Sequence, residues 1–173
     1  MKIALDSNCL TYLINACESK LGIDPSIAEE GIALIRIWFY LDERYFISKQ
    51  VLDECGPIGD NALRDMHLAF ANRTYFGLET KAPATVEAHV NQYLSIHPRK
   101  KDCRVLAEAE DMGVDILLSY DNDFISHLGR YSDSVRIMRP SDYWKLVQMP
   151  RGTAPKVRPH VSNPLANKTF WLW

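Results

Sequence analysis

The chain has 173 residues, 47% of them hydrophobic and 24% charged, with a formal net charge of −2. That length and balance predict one domain with a proper core. They exclude a disordered tail and a strongly basic protein that binds nucleic acid through charge alone. The apolar start is broken by Asp6 and has no basic lead, which argues against a signal peptide and for a cytoplasmic protein with no membrane partner. Cys9, Cys17, Cys55 and Cys103 form no CxxC pair and read as buried thiols of a reducing compartment. The five histidines have no metal-ligand spacing and read as structural or surface residues.

In chain order, Lys2 to Leu5 reads as a short apolar strand, and Asp6 closes it. A helix is predicted from Cys9 to Lys20, with Leu10, Leu13, Ile14 and Cys17 on one stripe. Asp24-Pro25 starts the next helix, which runs to about Asp42. Its apolar part, Gly31 to Leu41, carries Arg36 and is too short to span a bilayer. Arg44 to Ser48 is a second strand, and Ser48 caps a short helix from Lys49 to Cys55. Further helices are predicted at Asp60 to Ala71 and Pro83 to Ile96, with a short strand between them at Thr74 to Leu78. Asp102 opens the stretch DCRVLAEAEDMG, and the strand DILLS follows at 115 to 119. A turn or helix past Phe124, a strand from Ser134 to Met138 and a helix from Pro140 to Gln148 complete the series. Alternating strands and helices predict an α/β fold with a mainly parallel sheet. Residues 1–148 form this domain. Residues 149–173 are a basic, proline-containing arm whose aromatic end, Phe170 to Trp173, must dock on this chain or a neighbour. The arm holds four basic residues and no acid, so the total of −2 leaves −6 on the rest.

The acids lie where strands end or helices begin, and both places fall on one rim of an α/β sheet. Asp102 precedes Val105, Leu106 and Ala109 at i+3, i+4 and i+7, which puts it on the buried side of its helix. Taken alone it reads as a cap. Glu54 shares the face of Val51 and Cys55, while Asp53 and Glu43 compete with it as exposed acids. Asp121 and Asp123 bracket one residue and can both reach one ion. Two carboxylates ~4 Å apart repel by about 4 kcal/mol at a dielectric near 20, so convergence calls for a cation. Oxygen-only ligands suit Mg²⁺ or Mn²⁺, ions that serve phosphate chemistry. Arg99, Lys100, Lys101 and Arg104 bracket Asp102 and are candidates for holding a phosphate backbone. Tyr120 is a candidate base-stacking or structural aromatic.

Four segments together resemble the PIN-domain family of metal-dependent ribonucleases, which includes VapC-type toxins. They are Ile3 to Asn8, Ile47 to Glu54, Asp102 to Leu118 with its Gly113, and Ser119 to Phe124; Ile137 to Leu146 resembles the closing strand and helix. The likeness covers about residues 1–148; the stretch 57–96 and the arm lie outside it. The resemblance implies a PIN-like three-layer α/β/α sandwich around a central, mainly parallel sheet, with an acidic pocket for one or two Mg²⁺ or Mn²⁺ ions. It implies metal ligands at Asp6, Glu54, Asp102 and Asp121, with Asp123 accessory and Ser119 orienting the site. The expected activity is an endoribonuclease in which an activated water attacks a phosphodiester in line. A toxin role would bring an antitoxin that covers the pocket. A homodimer would use the apolar helix 31–41 or the aromatic end. The main alternative is a non-catalytic RNA-binding or regulatory protein of the same fold. A Mg²⁺-dependent phosphatase or receiver-type domain ranks lower, since no DxDxT stretch is present.

Overall fold

The computed structural model describes residues 1–21, 24–74, 76–77 and 80–173. Its elements run β1 (Ile3–Leu5), α1 (Ser7–Cys17), α2 (Pro25–Leu41), β2 (Tyr45–Ile47), α3 (Lys49–Cys55), α4 (Asn61–Thr74) and β3 (Phe76–Gly77). They continue as α5 (Pro83–Tyr93), α6 (Lys100–Asp111), β4 (Ile116–Leu118), α7 (Asn122–Leu128), β5 (Arg136–Met138) and α8 (Pro140–Val147). The strands form one sheet in the order β3-β2-β1-β4-β5, and every pairing is parallel. Each residue of β1 and β4 is buried, so the centre of the sheet is covered on both faces, as parallel sheets require. Helices α1, α2 and α8 pack together, as do α5, α6 and α3. The α/β class is as expected, and the sheet is wholly parallel.

The chain steps from β1 to β2 to β3 on one side, then returns to place β4 and β5 on the other. The direction reverses between β1 and β4. In an open parallel sheet, the crevice at the carboxyl ends of such a strand pair is where ligands collect. Leu5 pairs with Leu118 there, so the residues that follow, Asp6 and Ser119, leave the sheet side by side.

Local chemistry sets most element ends. Asp6, Asp24, Ser48 and Asp121 each cap a helix through side-chain acceptors. Helix α1 starts two residues before the expected Cys9, because Asp6 caps it, and it stops at Cys17 before Ser19 turns left-handed at φ 57°. Helix α4 continues past Ala71 to Thr74, with no Gly or Pro to break it. Of the strand expected at Thr74 to Leu78, only Phe76–Gly77 is seen; Tyr75 and Leu78 lie outside the described residues. Helix α5 ends at Tyr93 rather than Ile96. Carried further, it would drive the Pro98 ring against the Leu94 carbonyl. Helix α6 begins at Lys100, so Asp102 sits within its first turn and is not its cap.

The arm closes on its own chain. Trp171 is buried with its ring 5.1 Å from that of Phe39, and its indole N–H donates to the Leu165 carbonyl. Arg36 of α2 donates to the carbonyls of Phe170, Trp171 and Leu172 at 3.0–3.3 Å. The Trp173 ring lies 5.3 Å from Trp144 of α8 and under the guanidinium of Arg151. Residues 31–41 belong to α2, where Ala33, Leu34, Ile35, Ile37, Phe39 and Tyr40 are buried in the core. Both surfaces expected to serve a homodimer are thus used within the chain. Among the described residues no helix is long and apolar enough to cross a membrane. All four cysteines are buried and unpaired.

Candidate functional site

Asp6 follows β1 directly and is 5% exposed. Its Oδ1 accepts the Cys9 N–H at 2.7 Å, and its Oδ2 accepts the hydroxyl of Ser119. Burial pushes the Asp6 carboxyl up to about 6; the bonds from Ser119 and Cys9 oppose this, and the charge of Asp102 adds to it. Asp6 is therefore a desolvated carboxylate short of positive charge. Ser119, fully buried at the end of β4, links it onward: the Asp121 N–H donates to Ser119 Oγ at 3.1 Å.

Asp121 caps α7, accepting the N–H groups of Asp123 at 2.8 Å and Phe124 at 3.2 Å through Oδ1. Its Oδ2 accepts from the Arg99 guanidinium. Burial raises its pKa, but the Phe124 and Asp123 amides and Arg99 outweigh that, and the carboxyl lies below its ordinary value. Arg99 also stands 3.7 Å from Asp102 and 3.6 Å from Asp123. One guanidinium thus serves three of the predicted metal ligands.

Asp102 has a second partner. The imidazole of His97, buried to 1% exposure, places Nε2 2.8 Å from Asp102 Oδ2. A carboxylate only accepts, so Nε2 carries the proton. The other ring nitrogen lies 3.4 Å from Nδ1 of His127. His97 therefore fixes the rotamer of Asp102 from behind. Sequence reading missed it, because Pro98 breaks any helical relation between positions 97 and 102.

Asp6, Ser119, Asp102, Asp121 and Asp123 occupy one rim. Glu54 shares no hydrogen bond or ion pair with them among the described residues; its Oε1 accepts from Gln50 Nε2 at 2.9 Å on its own helix. Among the described residues no three His, Cys, Asp or Glu side chains stand together as a metal-holding group. The donors are nevertheless all oxygens, and the deficit of positive charge at Asp6 fits a hard divalent ion. Asp6, Asp102 and Asp121, with Asp123 accessory, are the residues that would have to close up around one.

The basic cluster is partly engaged. Arg99 turns inward to the acids, and Arg104 pairs with Glu87 at 2.6 Å. The two arginines expected to meet a phosphate backbone therefore already hold carboxylates, while Lys100 and Lys101 are exposed. Tyr120 is structural: its ring packs on Tyr12 at 5.4 Å, and its hydroxyl lies 3.0 Å from that of Ser26. Arg139 lies over the Tyr120 ring at 5.0 Å and donates to Asn122. Glu108 of α6 is a second omission. It is 3% exposed, and its Oε2 accepts the Gln50 N–H at 2.8 Å. Its position was partly readable, since the i−3 and i+4 neighbours Val105 and Met112 are apolar, although Arg104 and Asp111 at i−4 and i+3 are charged.

Compared with known proteins, the chain matches no family model and no curated protein sequence.

Proposed function

We propose that the protein is a metal-dependent endoribonuclease of PIN-like α/β/α architecture, with Asp6 at the centre of its site. The observation that carries this reading is the placement of a buried, electron-rich carboxylate at the β1–β4 reversal, with Ser119, Asp102 and Asp121 on the same rim. A parallel sheet covered by helices on both faces is the architecture the PIN resemblance implies. A bound Mg²⁺ or Mn²⁺ would supply an acidified water and neutralise charge on the phosphate. Asp6, Asp102 and Asp121 would bind and orient that ion. Ser119 fixes the Asp6 carboxylate, His97 fixes that of Asp102, and the α7 amides fix that of Asp121. Arg99 is exposed on its outer side and is placed to exchange its carboxylates for a phosphate of the strand. The test is cleavage of single-stranded RNA by the full chain with Mn²⁺. Asp6→Asn and Asp102→Asn should each lose roughly 100-fold or more in rate while keeping the parent's circular dichroism. Parent-like cleavage by both variants would sink the assignment.

A second reading, an RNA-binding module without catalysis, is favoured by one observation. Arg99 already neutralises three of the acids. Calorimetric titration with Mn²⁺ separates the two readings. Heat that is absent in Asp6→Asn supports the nuclease, and no heat in the parent supports the module.

A further inference from the structure

A cavity of about 610 Å³ opens beside the acidic rim, between α3, α5 and α6. Its walls include Ile47, Leu52, Pro83 and Val86, and Arg104 and Glu108 also line it. The volume is that of a small-molecule site, and the mix of apolar walls with a few polar groups is what such sites use. None of the residues assigned to the acids lines it.

Glu108 decides what the cavity suits. It is a carboxylate between the buried Val105 and Met112 on its helix, 3% exposed and held by the Gln50 amide through Oε2 alone. Among the described residues Oε1 has no hydrogen-bond partner. Glu108 lines the cavity, and a carboxylate oxygen left open there is an acceptor that asks for N–H donors from whatever enters. Arg104, the nearest cation on its helix, is tied to Glu87.

We propose that this cavity takes a guanine base of the RNA strand, read by Glu108. The proposal rests on the nuclease reading for its substrate. Guanine presents two adjacent donors, N1–H and the N2 amino group, to one carboxylate. Uracil N3–H is flanked by two carbonyls that a carboxylate repels, and the amino groups of adenine and cytosine each adjoin a ring-nitrogen acceptor. Ile47, Leu52, Pro83 and Val86 cover the faces of the base. Position agrees. Asp102 and Glu108 lie on α6, ~9 Å apart along its axis at 1.5 Å per residue. Ile47 ends β2, the strand beside β1. A strand with its phosphate at the acids brings a neighbouring base to the cavity mouth.

The test is calorimetric titration of the full chain with guanosine 5′-monophosphate and with the adenosine, cytidine and uridine monophosphates. The guanine nucleotide should bind roughly 10-fold or more tightly than the others, the discrimination of a bidentate base contact. Glu108→Gln keeps an acceptor for the Gln50 amide and should erase the preference. Leu52→Trp, which fills the cavity, should abolish guanine nucleotide binding even where Glu108→Gln fails to fold. Asp6→Asn should keep the preference, which separates this pocket from the acids. Equal binding of all four nucleotides, or a preference that survives Glu108→Gln or Leu52→Trp, overturns the proposal. Absence of Mn²⁺-dependent cleavage with guanine selectivity intact overturns the nuclease reading alone.

Discussion

At the residue scale, Asp6 carries the clearest thermodynamic signature. Its carboxyl moves from an ordinary 3.8 to about 6 in the fold. A folded pKa above the unfolded one means that folding favours the protonated form. That contribution is complete below about pH 4 and is lost as pH rises through about 6. The loss is about 3 kcal/mol at 1.36 kcal/mol per unit. Asp6→Asn, neutral at every pH, should therefore unfold at higher urea than the parent at about pH 7.5, with the gap closing at low pH. A gap of equal size at both pH values would show that burial is not what holds the carboxyl up. Mn²⁺ should raise the melting temperature of the parent at neutral pH and leave that of Asp6→Asn unmoved. Arg99 yields a complementary expectation. Exposed ion pairs are weak, so Arg99→Gln should tighten Mn²⁺ binding only modestly, roughly 2–5-fold, by removing a competitor for Asp102, Asp121 and Asp123. Weaker Mn²⁺ binding in Arg99→Gln would mean that the guanidinium shapes the site and does not compete for it.

At the scale of elements, Gly113 is the simplest test of how α6 is joined to β4. It has φ +66°, and a Cβ there would meet only Lys2 Nζ at 3.9 Å. Gly113→Ala should cost about 1 kcal/mol through backbone conformation alone, read from the urea midpoint at unchanged slope. Much of this level was legible. Asp24-Pro25 marked the start of α2, Ser48 capped α3 as read, and the apolar run at 115 to 119 became the interior strand β4. Differences came at element ends. The helix read as running to Ile96 before Pro98 stops at Tyr93, where the chain tightens and the N–H groups of Ser95 and Ile96 donate to the carbonyls of Gln92 and Tyr93. Taken alone Asp102 read as a cap, while its stripe with Val105, Leu106 and Ala109 put it on the buried side of the helix; α6 begins at Lys100 and holds it in the first turn. The site was half-readable. Acids at strand ends follow from local sequence. That Arg99 would bridge three of them, that His97 would lie behind Asp102 and that Glu54 would bond within its own helix depend on how loops fold back.

At the scale of the whole molecule, the arm acts as a clasp. Residues 149–173 pass Met149, Gly152 and Val157 along α2 and α8 and return Trp171 and Trp173 to them; the main chain at Val157 donates to the Phe39 carbonyl at 3.0 Å. Trp171→Ala removes a buried indole from Phe39 and one of the two donors to the Leu165 carbonyl, which keeps the Lys168 N–H. It should cost about 3–5 kcal/mol of stability, measured by denaturant unfolding. If the loss falls well below 1 kcal/mol, the arm is an ornament on a fold that stands without it.

The order in which the strands take their places has a bearing on synthesis. Asp6 and Ser119 are neighbours only because β4 lies against β1, and 113 positions of chain separate them. During translation the amino-terminal half emerges first, so β1, β2 and the helices around them are built before residue 119 leaves the ribosome. Up to that moment the first acid faces an empty flank of the sheet. On the nuclease reading, a polypeptide released before residue 119 lacks the Asp6–Ser119 pair and with it the proposed centre.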